Sequence, residues 1–220
     1  INAAVMKCRW NTMASDFHTH SAPPPGIAAL VSTGLDQLGR FPLESMEFHP
    51  WRLPPQPVEL PREFAAGLEQ AAALGEIGLD RLRGPAFPVQ QQMLDRLLRL
   101  AAEQEKPVVF HCVRATAELL AAVKPYPRMR KLLHGFRGSP ELFEEFRKHG
   151  FYLSLGAAAL ERAPLLDHLR RTGFDRVGFE TDDRPEPVEQ LIERAAGVLG
   201  CPAERLTAAT DANFREFLQR

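Results

Sequence analysis

Eight short apolar runs, each bounded by turn residues, recur along the 220 residues, and this recurrence limits the fold more than any single motif does. They are SDFHTH from Ser15, GIAALVS from Gly26, SMEFHPW from Ser45, GEIGLD from Gly75, PVVFHC from Pro107, KLLHGF from Lys131, FYLSLG from Phe151 and RVGFETD from Arg176. Each has the length and residue mix of a strand. Helical stretches stand between most of the later runs. In VQQQMLDRLLRLAAEQEK, Met93, Leu94, Leu97, Leu98 and Ala101 form an apolar stripe at helical spacing. Ser139 as N-cap, Pro140 at the first helical position and Gly150 as a stop frame another helix. The alternation predicts an α/β fold, a (β/α)8 TIM-type barrel. Only about a dozen residues, broken by prolines, separate each of the first three strands, so the barrel is expected to be abbreviated and helix-poor there.

The length suits one domain with a sizeable core. Residue 1 is Ile, and Met13 stands directly before Ala14, Ser15 and the first strand-like run, so residues 1–13 read as a tag or a misplaced start. Residues 14–220 then form the single domain. Pro23 to Pro25 and Pro54 to Pro61 read as loops inside it. A formal net charge of -1 gives no global positive field to hold nucleic acid, so any phosphate contact must be local. Cys8, Cys112 and Cys201 are odd in number and lack CxxC spacing, which fits a reducing compartment; cytoplasm is the expected location. No apolar run is long enough for a membrane span, and nothing points to an obligate protein partner.

Residues that do chemistry on a parallel barrel sit where each strand meets its following loop. Here those places carry ligand-type side chains. His18 and His20 are two apart on a strand, so both imidazoles project to one side. Glu76, His111, His134 and Asp182 each interrupt or end an apolar run. Singly, such a His is more often a hydrogen-bonded rim residue, and such a carboxylate more often a helix cap or half of an ion pair. Their joint order points to one or two divalent ions. Four imidazoles and two carboxylates suit zinc or manganese, whereas magnesium prefers more oxygen.

The succession DFHTH, EFHPW, GEIGLD, VVFHC, LLHGFRG and FETDD, with NFREFL near the C-terminus, resembles the TatD family of metal-dependent deoxyribonucleases, within the amidohydrolase-like barrels. The resemblance implies that His18, His20 and Asp182 hold one ion, His111 and His134 a second, and that Glu76 bridges or joins both. Asp182 would orient the attacking water or accept its proton. His49 matches the family's HP pair, as a phosphate contact or as a donor that orients a ligand. Gln90, ahead of the following helix, falls where the family also tends to have Gln. Asp80 and Glu180 are expected to orient ligands through hydrogen bonds. The helix that usually follows the first strand is missing, which widens one side of the site. Arg81, Arg114 and Arg137 stand where the family commonly has other residues; Arg137, and less strongly Arg114, are candidate phosphate contacts. His149 and His168 read as helix-surface residues, and Cys112 as an inert buried thiol.

The resemblance also implies the substrate: phosphodiester bonds of DNA, at single-stranded ends, attacked by a metal-activated water. The residues themselves leave two alternatives open. One is hydrolysis of a small ester, lactone, amide or phosphoester; the other is a metal-binding scaffold or regulatory protein without turnover.

Overall fold

The computed structural model describes residues 14–219, so the reading of 1–13 as tag or misplaced start lies outside the described residues. Its eight strands follow one another in sequence order around a closed barrel, as the spacing of apolar runs predicts. The described residues fall into two compact units, one of residues 14–31 with 134–219 and the other of 32–133.

In the first unit, β1 (Ser15–Thr19) pairs in parallel with β2 (Ala28–Thr33) and with β8 (Val177–Phe179), and β8 pairs in parallel with β7 (Phe151–Leu155). Phe17 of β1 meets Phe214 edge to face at 5.1 Å, and a Cβ at Gly178 would come within 2.4 Å of the Phe17 ring. Phe214 belongs to α7 (Ala203–Leu218), which carries the NFREFL motif and has a structural task. Asn213 donates from Nδ2 to the carbonyls of Phe174 and Val177 at 2.7 and 2.8 Å, while Asp211 accepts from Ser15 Oγ at 2.7 Å. These bonds lock α7 onto β8 and β1. The unit's other helices are α4 (Pro140–Lys148), α5 (Ala163–Thr172) and α6 (Val188–Leu199). Ser139 caps α4 as expected, accepting from the Leu142 amide. His168 departs from its surface reading: it is half-buried on α5, and its Nε2 lies 2.8 Å from Glu144 Oε1.

In the second unit, β3 (Glu44–Met46), β4 (Ala73–Asp80), β5 (Val108–Val113) and β6 (Lys131–Leu133) pair in parallel in that order. The helices are α1 (Arg62–Gln70), α2 (Phe87–Glu103) and α3 (Thr116–Val123). The stripe of Met93, Leu94, Leu97, Leu98 and Ala101 on α2 is fully buried, at roughly 2 kcal/mol for each large aliphatic side chain. No α-helix separates β1 from β2 or β2 from β3, the latter gap holding only a 3-10 turn at Leu35–Gln37. The buried Glu44 carboxylate organises that second crossover instead, accepting from the amides of Gly39, Arg40 and Phe41 at 2.7, 2.9 and 3.1 Å. Charge-assisted bonds of this kind substitute for the missing helical ladder.

Gln90 is not ahead of the helix but in the first turn of α2, where it is 1 % exposed. Its Nε2 donates to the carbonyls of Asp80, Arg83 and Pro85 at 2.9 to 3.0 Å, and its Oε1 accepts from the Asp80 amide at 2.7 Å. One buried amide thus holds the whole loop between β4 and α2. Gln90→Ala is expected to cost about 2–4 kcal/mol, the sum of several lost bonds and the carbonyls left behind. A urea titration followed by circular dichroism measures it as a lowered midpoint at unchanged slope.

Candidate metal centre

The side chains singled out in the sequence gather in two groups, one in each unit. In the first unit, His18 is fully buried and His20 half-exposed. Their Nε2 atoms lie 3.8 and 3.6 Å from the same oxygen, Asp182 Oδ1, and the two rings stand edge to face at 5.0 Å. Asp182 lies past the end of β8 with φ of 54°, a conformation a non-glycine residue keeps only when its surroundings hold it. The bonds responsible are Asp182 N–H to His18 O and His20 N–H to Asp182 O, both 3.0 Å. This bridge aims the carboxylate at the imidazoles. His134, directly after β6, stacks against His18 with ring centres 4.6 Å apart, and its Nδ1 is 3.5 Å from Glu180 Oε1. Glu180 is itself fixed by the Gly135 amide at 2.6 Å and by the Ser154 hydroxyl. Beneath lies Asp16, which burial pushes up to about 7 despite hydrogen bonds from the Thr181 hydroxyl and amide.

In the second unit, Glu76 lies inside β4 and His111 inside β5, while β3 is so short that His49 falls in the turn after it. Ligand atoms of His49, Glu76 and His111 all lie within 4.8 Å of one another. Both imidazoles face one oxygen: His49 Nε2 is 3.5 Å, and His111 Nδ1 3.4 Å, from Glu76 Oε2.

Hydrogen bonds behind the rings separate their roles. His111 Nε2 is 3.0 Å from Asp80 Oδ2. Although burial alone would raise Asp80, hydrogen bonds from Trp51, His111 and the Leu82 amide hold it below the usual carboxylate range. Asp80 therefore accepts, His111 donates from Nε2, and its Nδ1 faces the Glu76 carboxylate. A carboxylate that orients a ligating imidazole from behind is the usual arrangement at metal sites. His49 is wired the other way: its Nδ1 accepts from the Trp51 amide at 3.1 Å, which leaves the proton on Nε2, facing Glu76. The Nε2–H of His49 therefore points toward Glu76 Oε2.

The donor set of imidazoles and carboxylates in each unit suits a divalent ion. Glu76, His111, His134, Asp182 and His49 also fall inside residues 41–219, the stretch that matches the family described as TatD related DNase. The chain belongs to the TatD family. Among TatD relatives, it is 29 % identical over 179 residues to the 3'-5' ssDNA/RNA exonuclease TatD of Citrobacter rodentium, covering 67 % of this chain and 65 % of that protein. It is 36 % identical over 157 residues to the metal-dependent hydrolase YjjV of Escherichia coli K12, uncharacterized by its name, covering 64 % of this chain and 61 % of that one. The chain thus spans less than two thirds of the length of both relatives. A crystal structure of E. coli YjjV, a TatD homologue, superposes with a TM-score of 0.75 at 24 % identity over 93 % of this chain and 97 % of that one, which shows the fold. His18 and His20 precede the matched stretch and rest on their geometry.

The three arginines singled out in the sequence behave differently from one another. Arg114 and Arg137 are exposed in the loops after β5 and β6. Arg81 is engaged, bonded to Glu118 and stacked on the Phe87 ring at 4.0 Å. Asp183 is exposed and pairs with Arg184 at 3.6 Å. Burial pushes the Cys112 thiol up to about 11, which fits an inert residue. Two further residues have a hand in the site, Trp51, which the sequence does not single out, and Gln90, which it marks only by the family resemblance. Trp51 donates from Nε1 to Asp80 Oδ2 at 2.6 Å, and Gln90 clasps the loop that carries Asp80. For Trp51 the available signal was its place in HPW, directly after a candidate site residue.

Proposed function

We propose that this TatD-family chain is a metal-dependent hydrolase that cuts phosphodiester bonds of DNA at single-stranded ends. The observation that carries metal dependence is the convergence of ligand atoms of His49, Glu76 and His111 within 4.8 Å of one another, with Asp80 fixing the His111 ring from behind. His18, His20 and Asp182 would hold one ion, and His111 and His134 a second. Glu76 would be the carboxylate that bridges or joins both, as the resemblance to the family implies. Bound divalent ions would acidify a water and stabilise the charge that builds on the phosphate oxygens. The chain's own residues do the rest. Asp182 takes up the water's proton, Asp80 and Glu180 keep the His111 and His134 rings in place, and His49 holds Glu76 through Nε2. Arg137 and Arg114 offer their guanidinium groups to the strand's phosphates. The substrate follows from family membership and from the exonuclease name of the Citrobacter relative.

The test is degradation of end-labelled single-stranded DNA by protein loaded with magnesium, manganese or zinc. Activity lost on chelation and restored by one of the ions supports the proposal. Turnover confined to lactones or small phosphoesters would replace the substrate, and tight metal with no turnover would leave a scaffold. Asp182→Asn is expected to lower kcat about a hundredfold, the low end for a general base because the ion already acidifies the water, with KM within a factor of about three. A loss confined to KM would reassign Asp182 to substrate binding.

A further inference from the structure

Beside the His49, Glu76 and His111 group, an aromatic ring is presented to solvent. Trp51 is 42 % exposed and its neighbour Leu82 is 60 % exposed, the two most open large apolar side chains among the described residues. Neither is loosely placed. The indole is pinned by its Nε1 bond to Asp80 at 2.6 Å and wedged against the rings of His49 and His111, whose centres lie 4.7 and 5.4 Å away. Leu82 and Arg83 are set by their amides, which donate to Asp80 Oδ1 at 2.7 and 3.1 Å. The Arg83 guanidinium sits 4.5 Å from the centre of the Trp51 ring. Gly84 lets this loop close onto the Trp51 turn, since a Cβ there would meet the Pro50 carbonyl at 2.5 Å. Leu82 and Arg83 also line a cavity of about 280 Å³, just under the range of roughly 300–1,000 Å³ that takes whole small ligands.

A fixed, half-exposed indole with a guanidinium over it, one residue contact away from an ion-holding imidazole, is the chemistry that grips an unpaired nucleobase. We infer that Trp51, with Leu82 and Arg83, forms a stacking seat for the base of the nucleotide next to the bond being cut. This rests on the reading above that the substrate is single-stranded nucleic acid, and it adds where the strand's end is held. Stacking is blind to base identity, since every base has a π face, so the seat selects unpaired ends rather than a sequence. In a duplex that face is covered by its neighbours. Because the same Asp80 carboxylate that holds Trp51 also holds His111, the seat and the ion site keep a fixed distance.

The chain has two tryptophans, Trp10 and Trp51, so a Trp10→Phe background reports Trp51 fluorescence alone. The probes are a phosphorothioate-linked oligothymidylate, which resists cutting, and an oligomer of the same length and charge with abasic sites at its end. Both are added to metal-loaded protein, with binding followed separately by anisotropy. The base-bearing probe should quench Trp51 and the abasic one should not. Leu82→Ala and Arg83→Ala should each weaken binding of the base-bearing probe, the pair together by about tenfold, with little effect on the abasic probe. Equal quenching by both probes, or variants that weaken both equally, overturns the seat while leaving the nuclease reading intact. If neither probe binds and unmodified single-stranded DNA is not cut, the substrate reading falls and the seat falls with it.

Discussion

Replacing Glu76 with Gln should leave the barrel folded yet remove most of the bound metal and at least about a thousandfold of turnover. The substitution is nearly isosteric and retains an acceptor, so the packing of β4, where this residue is 2 % exposed, is little disturbed. What it removes is charge. His49 Nε2 and His111 Nδ1 both converge on Glu76 Oε2, and an anionic oxygen both accepts from the His49 N–H and would hold the proposed ion. A neutral amide oxygen is a far poorer ligand, and the amide nitrogen could turn a donor toward the ion. The expected loss exceeds the 10- to 100-fold typical of groups that merely orient a ligand, because Glu76 is proposed as a ligand itself. Metal content by elemental analysis and kcat on single-stranded DNA measure the two effects together. Full metal occupancy in Glu76→Gln would show that the ions are held without this carboxylate and would remove Glu76 from the proposed centre.

The positions of all eight strands are legible in the sequence because buried parallel strands are compact apolar runs, and each run here is cut off by turn residues within a few positions. The helix-poor start is legible too, from the spacing of the runs and the prolines between them. What the spacing does not carry is how the second crossover holds together without a helix. That task falls to Glu44, a carboxylate whose role depends on three amides that only the folded loop brings to it.

For the site, residue type and strand position single out the ligand candidates, but not which nitrogen of each ring faces the neighbouring carboxylate. His49 and His111 look alike in sequence, each a histidine at the end of a strand-like run. They differ because the Trp51 amide donates to one ring while the Asp80 carboxylate accepts from the other. Those partners are two residues away in one case and 31 in the other, and no periodicity encodes them. Trp51, and the task of Gln90, are hidden for a related reason: each acts through Asp80, and a side chain whose role is to hold another residue shows no chemical signature of its own.

Gly78→Ala is the substitution expected to do the most damage to the fold, and GEIGLD shows why. Both glycines of the motif hold backbone that a side chain resists, Gly75 at φ of 144° and Gly78 at 148°. Space is shorter still. A Cβ at Gly78 would lie 1.9 Å from the His111 carbonyl oxygen on β5, and one at Gly75 would lie 2.5 Å from that of Val109. Neither neighbour is a flexible side chain that can swing aside; both are backbone in a paired strand. β5 would have to move away from β4, breaking the register that sets Gly78 against His111. Strain and overpacking together should cost roughly 3–5 kcal/mol, a large share of the 5–15 kcal/mol by which a domain is ordinarily stable. Gly197 supplies the contrast, since a Cβ there meets nothing within 4 Å on an exposed face of α6, so Ala should stabilise by about 0.5–1 kcal/mol. Urea midpoints of the two variants should therefore move in opposite directions. A Gly78→Ala protein as stable as the parent, and still loaded with metal, would mean that β4 and β5 do not approach as closely as this register requires.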